Sequence, residues 1–167
     1  MRKFAIALGT LALVFALATT AEARLKEGQK EVSFYGTILN LSADGFDATA
    51  IIAQVSGGLM LDQKAQVGGS VLAQITSAGG YDSTNIGLNG FYRYHLSPEE
   101  ETVPYVEGHG GITIGDDSSE LSIGGAVGMK HFLSENLSVN GEGSLTLTLG
   151  DVGLTIIALQ VGLSYYF

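Results

Sequence analysis

The sequence holds three histidines, His95, His109 and His131, and no cysteine. Without thiols there is no disulfide framework, no zinc knuckle, no thiol nucleophile and no site for a lipid anchor. What remains is the chemistry of imidazole, hydroxyl and carboxylate. In an extended chain His109 shares a face with Glu107, so an acid can orient an imidazole, with Ser122 or Ser144 facing it across an enclosed interior. Such an inward triad has no route for a lipid substrate, and residue types alone do not make the geometry, so no catalytic residue is assigned. His131 has the opposite parity and no Ser or acid partner in its local sequence.

Metal and phosphate chemistry find less support. Asp116-Asp117-Ser118-Ser119-Glu120 collects oxygen ligands but lacks the spacing of a calcium loop, and it reads as a solvated acidic turn. Gly57-Gly58, Gly68-Gly69 and Gly110-Gly111 precede no helix, so they are not phosphate loops. No metal and no cofactor is expected. A net charge of -9 argues against nucleic acid as a partner, because phosphate binding needs Lys and Arg.

The elements that position these groups follow from period-two alternation. Ile157, Leu159, Val161, Leu163, Tyr165 and Phe167 alternate with Ala158, Gln160, Gly162, Ser164 and Tyr166. Leu137 to Leu149 repeats the pattern, with Leu145, Leu147 and Leu149 opposite Ser144, Thr146 and Thr148. Leu121 to Lys130 does the same, and the Gly content of all three segments opposes a helix. Earlier strands are read at Val32 to Leu41, Ala50 to Leu61, Ala65 to Thr76, Thr84 to Leu96 and Val103 to Ile114, the facing of the first being ambiguous. Three junctions look alike: Leu61-Asp62-Gln63-Lys64, Leu96-Ser97-Pro98-Glu99 and Leu133-Ser134-Glu135-Asn136. Between them stand Gly-, Asp- and Ser-rich connections, as in an up-and-down antiparallel meander. Eight strands ordered in this way should close, because an open edge invites aggregation.

Alternation alone does not say which face is inside. The polar face is Ser, Thr, Asn and Gly with few charges, and charged residues are only 15% of the chain, whereas a water-exposed surface is far richer in charge. The apolar face is therefore expected to meet lipid. Ahead of the strands, Arg2 and Lys3, the apolar stretch Phe4 to Ala18 and Ala21-Glu22-Ala23 read as a cleaved secretory signal peptide at residues 1–23, leaving 24–167 as the barrel domain.

The chain resembles the small outer-membrane β-barrel family, the eight-stranded OmpA/OmpX-like group, most specifically in its last strand, Leu163-Ser164-Tyr165-Tyr166-Phe167. The resemblance implies an all-β, eight-stranded antiparallel up-and-down transmembrane barrel in the Gram-negative outer membrane. It implies that Leu163, Tyr165 and Phe167 carry the signal read by the barrel-assembly machinery, and that the termini and the three Leu-starting turns face the periplasm. Tyr92, Tyr94 and Tyr165 would belong to an interfacial aromatic girdle. The outer connections are short compared with family members that bind hosts or phage, which speaks against an adhesin. Partners are then outer-membrane lipid and, during biogenesis, the assembly machinery, with the chain a monomer.

Strand parity places Arg93, Glu107, Lys130 and Glu142 inside. Arg93 should pair with Glu107 and Lys130 with Glu142, since an unpaired buried charge is costly. An eight-stranded interior is only just wide enough for side chains, so these four read as a plug of ion pairs and the protein as a structural envelope barrel without catalysis. A narrow channel for small solutes is the alternative, and a membrane-embedded lipid-modifying hydrolase a further one.

Overall fold

The computed structural model describes residues 25–43, 46–78, 80–115, 119–149 and 155–167. The leader read at residues 1–23 lies outside them, as does 116–118 of the acidic turn. Eight strands follow in order: β1 Lys30–Ala43, β2 Phe46–Met60, β3 Ala65–Ala78, β4 Tyr81–His95, β5 Thr102–Ile114, β6 Ser119–Ser134, β7 Leu137–Leu149 and β8 Thr155–Tyr166. Each is antiparallel to its neighbours, and β1 pairs with β8 from Glu31↔Tyr166 to Gly36↔Val161, so the sheet closes into an up-and-down barrel. No helix among the described residues is long and apolar enough to cross a membrane.

Several strands run further than their side-chain pattern. β2 starts at Phe46 rather than Ala50, β4 at Tyr81 rather than Thr84, and β6 extends from Ser119 to Ser134 instead of Leu121 to Lys130. The ladder continues through pairs such as Ser77↔Asp82, because a polar side chain does not interrupt main-chain hydrogen bonding. Strands of 12 to 16 residues exceed the roughly 9–11 needed to span a bilayer, so they project beyond it. At the opposite end the β2–β3 turn is held locally. The N–H groups of Lys64 and Ala65 donate to Asp62 Oδ1 at 2.6 and 2.8 Å. These bonds, Ala65's first, hold the Asp62 carboxyl below its ordinary range.

The two faces are inverted relative to a water-soluble barrel. Along β8, Ile157 and Leu159 are each 73% exposed, while Gln160 and Ser164 are 5% and 1% exposed. The same apolar-out arrangement continues through Val55, Val71, Leu88, Val106, Val127 and Leu145 on β2 to β7, making an apolar belt around the barrel.

Inside, the bulky aromatics lie over glycines. Tyr35 is paired across the ladder with Gly162, Phe91 with Gly68 and Tyr105 with Gly128. A Cβ at Gly128 would stand 2.4 Å from the Tyr105 ring and 2.8 Å from the Gly141 carbonyl oxygen. Gly128→Ala should therefore destabilise the barrel by about 1–3 kcal/mol, the usual cost of overpacking. Gly36→Ala, where an added Cβ meets nothing within 4 Å, should not. Urea unfolding of the two variants in vesicles checks this, and equal stability would remove the role of Gly128 as space for Tyr105.

Candidate functional site

The interior is stacked in three layers along the barrel axis. At the end formed by the three Leu-starting turns, Leu25, Met60, Val103, Phe132 and Tyr166 form an apolar cluster, none more than 1% exposed. The Phe132 and Tyr166 rings are 5.1 Å apart between centroids. Leu25 precedes β1, so the chain folds under the barrel before entering it.

Above this cap lies a layer of charge. Lys130 Nζ on β6 lies 2.5 Å from Glu31 Oε2 on β1 and donates to Tyr166 Oη at 3.0 Å. Glu31 also accepts from Gln66 Nε2 at 2.6 Å and from the hydroxyls of Ser33 and Ser164 at 2.5 and 2.7 Å. Arg93 Nη1 is 3.6 Å from Glu31, and Arg93 Nη2 is 2.7 Å from Glu107 Oε2 and 3.8 Å from Glu142 Oε2. Tyr105 donates its hydroxyl to Glu142 Oε2 at 2.8 Å. The Arg93 guanidinium carbon also sits 4.5 Å from the Tyr105 ring centroid and 4.9 Å from that of Phe91, within cation–π range. Three carboxylates, two cations and three aromatic rings thus fill the cross-section at this level.

The outer half is open instead. A cavity of about 190 Å³ is lined by Gln54, Asn85, Ser144, Thr146 and other amide and hydroxyl side chains, with Glu107, His109 and Glu142 also on its wall. His109 Nδ1 lies 3.4 Å from Glu107 Oε1 and its Nε2 is 3.0 Å from Thr146 Oγ1.

Neither a family model nor a curated protein sequence matches the chain. Solved structures do. The outer membrane protein OprG from Pseudomonas aeruginosa superposes with a TM-score of 0.63 at 12% identity, over 89% of this chain and 99% of that one. Neisserial surface protein A (NspA) gives 0.60 at 13% identity, over 83% and 96%. The outer membrane protein AlkL gives 0.51 at 16% identity, over 90% and 94%. The fold is that of the small eight-stranded outer-membrane barrels. At such low identity the likeness reaches the architecture and leaves the interior of each barrel to its own sequence.

Within this outer-membrane-type barrel, Arg93, Glu107, Lys130 and Glu142 all lie in the lumen; Arg93 pairs with Glu107 as expected, whereas the second expected pair is replaced by another. Lys130 and Glu142 do not form an ion pair. They are diagonal on the β6–β7 ladder, where Lys130 faces Asn140 and Glu142 faces Gly128. Lys130 reaches across the lumen to Glu31, whose buried carboxylate also accepts from Gln66, Ser33 and Ser164. Alternation does not single out Glu31, Gln66 or Tyr105, and it gives Tyr166 only a place in the last strand; Glu31 is legible as the polar residue two before Ser33.

The histidines also acquire unforeseen partners. The hydroxyl that meets His109 is Thr146, and Ser122 donates to Asn89 Oδ1 at 3.5 Å. Glu107, which would orient His109, is already held by Arg93 through its other oxygen, and strand N–H groups lie in the sheet plane, aimed at neighbouring strands rather than at a lumenal oxyanion. His131, read as lipid-facing and without partners, is only 9% exposed. Its Nδ1 is 2.9 Å from Thr102 Oγ1 and its Nε2 3.5 Å from Glu101, both supplied by the neighbouring strand β5 and the turn before it. His95 is fully buried, with Nδ1 3.1 Å from the Lys64 carbonyl oxygen.

Tyr92, Tyr94 and Tyr165 point outward, being 50%, 38% and 53% exposed. Leu163 and Phe167 share the outer face of the last strand with Tyr165, whose ring lies 6.2 Å from that of Phe167.

Proposed function

We propose that this protein is a structural barrel of the Gram-negative outer membrane, non-catalytic and closed to solute flow. The observation that carries the reading is the blocked axial route. The Glu31, Arg93 and Lys130 side chains are at most 3% exposed, and the apolar cluster around Leu25 and Phe132 lies directly beneath them. An ion crossing this level would have to separate buried pairs and then leave water for hydrocarbon, and each step is costly.

The same reading gives roles to the outward residues. Residues 1–23 act as a cleaved export leader. Leu163, Tyr165 and Phe167 form the face that the assembly machinery reads, and Tyr92, Tyr94 and Tyr165 anchor the barrel at the periplasmic interface, where amphipathic rings favour the headgroup level. The chain stands in lipid as a monomer, with no cofactor.

Planar-bilayer recording of the refolded protein tests the closed lumen. No stable conductance is expected in concentrated KCl. Large, steady, ion-selective steps would overturn the reading and put the narrow channel in its place. Fractionation that returns the mature chain with soluble periplasmic proteins would count against the outer-membrane assignment itself.

A further inference from the structure

We propose that the outer half of the lumen is a binding cup for a small organic cation, a short alkyl-diammonium whose ammonium groups are held by carboxylates and whose chain lies against apolar carbon. The inference goes beyond the structural role and holds whether or not the inner half conducts.

The charge layer is unbalanced. Glu31, Glu107 and Glu142 face Arg93 and Lys130, which leaves one carboxylate in excess. Glu142 is the least compensated of the three, with Arg93 no closer than 3.8 Å, and it lies on the wall of the cup together with Glu107 and Glu120. No Lys or Arg among the described residues lines the cup. Among the described residues every Lys and Arg, namely Lys26, Lys30, Lys64, Arg93 and Lys130, lies toward the end formed by the Leu-starting turns, while Asp82 and Glu120 stand near the outer ends of β4 and β6. A low-dielectric mouth rimmed by one sign of charge concentrates counter-ions. The outer half of the lumen therefore offers carboxylates and no fixed Lys or Arg, ending on the partly compensated Glu142.

The cup is also built for a polar occupant. Gln160 is 5% exposed and directly opposite Glu142 on the β7–β8 ladder, yet its amide has no hydrogen-bond partner among the described residues and opens into the cavity. Thr148, 8% exposed, is in the same position. Both side chains open on the cavity, where water or a ligand completes their hydrogen bonds. Ile52 and Leu72 on β2 and β3, and Ala158 two residues before Gln160 on β8, add apolar carbon to the same lining. A volume of about 190 Å³ far exceeds the roughly 10–15 Å³ that one water requires. Carboxylates, an unpartnered amide and apolar carbon in one lining match a short carbon chain carrying ammonium groups, and do not match an anion.

The test is titration of the refolded full-length mature protein in nanodiscs with putrescine, with butane-1,4-diol and succinate as neutral and anionic counterparts of similar length. Calorimetry should give saturable one-to-one binding for putrescine only, weakening as salt is raised. Amide shifts in NMR spectra should move on β5, β7 and β8 around Glu107, Glu142 and Gln160. Glu142→Gln removes the excess carboxylate while keeping an oxygen for the Tyr105 hydroxyl, and Gln160→Leu removes the unpartnered amide. Each should weaken putrescine at least tenfold while heat-modifiable migration on detergent gels shows a folded barrel. Absence of saturable binding in the parent overturns the proposal. So does equal binding of the diol, and so do shifts confined to the outer strand ends and unchanged in both variants, which would mean diffuse attraction to surface acids. Should either variant fail to fold, the parent's shift map and its preference for putrescine over the diol decide alone.

Discussion

Arg93→Met is expected to destabilise the barrel more than any other single change in the charge layer, by about 3–5 kcal/mol, the range for a buried charge stripped of its partner. Arg93 touches all three interior carboxylates: Glu107 at 2.7 Å, Glu31 at 3.6 Å and Glu142 at 3.8 Å. Its loss leaves three acids facing Lys130 alone, and the methionine also vacates the space between the Phe91 and Tyr105 rings. Arg93→Lys keeps the charge but loses the planar fork that donates from Nε and Nη2 to Glu107 while Nη1 reaches Gln66, so an intermediate loss is expected. Adding Glu107→Gln to Arg93→Met should recover part of the stability, because one uncompensated carboxylate disappears. Urea titration in phospholipid vesicles, followed by far-UV circular dichroism because the chain has no Trp, measures all three. Parent-like stability of Arg93→Met would mean that lumenal water already solvates these groups and that the layer is not a sealed network.

How far the sequence could anticipate this layer depends on which contacts are ladder contacts. Arg93 and Glu107 are direct partners on neighbouring strands, Arg93↔Glu107, so hairpin parity and turn length suffice to bring them together. Lys130 and Glu31 belong to β6 and β1, on strands that share no ladder. Their contact depends on barrel closure and on how far each side chain extends across the axis, and neither quantity is written in local alternation. β1 obscured its half of the pair. Val32 and Phe34 face outward and Tyr35 inward, so both of its faces carry bulky apolar carbon, and Glu31 stands one residue before the segment that alternation marks as strand. The histidine partners were hidden for a similar reason, since His109 meets Thr146 two strands away across Gly124, where the missing side chain leaves the path clear. In contrast, β7 and β8 were legible almost residue by residue, because Leu, Ile and Val on one face and Ser, Thr and Gln on the other leave a single consistent assignment once lipid is the outer solvent.

The medium around the outer face is what Leu159→Arg tests most directly. Leu159 lies about halfway along β8, is 73% exposed and belongs to the apolar belt, so its side chain should meet hydrocarbon near the bilayer midplane. An arginine there is expected to cost about 2–4 kcal/mol, falling toward 0–1 kcal/mol for the same substitution near an interface. Phe167→Arg, at the end of the same outward row, supplies the interfacial comparison, since its side chain can reach the headgroups and water. The depth dependence is the informative part. A soluble barrel would accept arginine at both outward positions with little change, because each would simply face water. A large loss at residue 159 with a small one at 167, read by urea titration in vesicles of one lipid composition, fits a membrane around β8. Equal and small losses would turn the barrel inside out as a physical object, and the charge layer would then have to be explained as the polar core of a water-soluble protein.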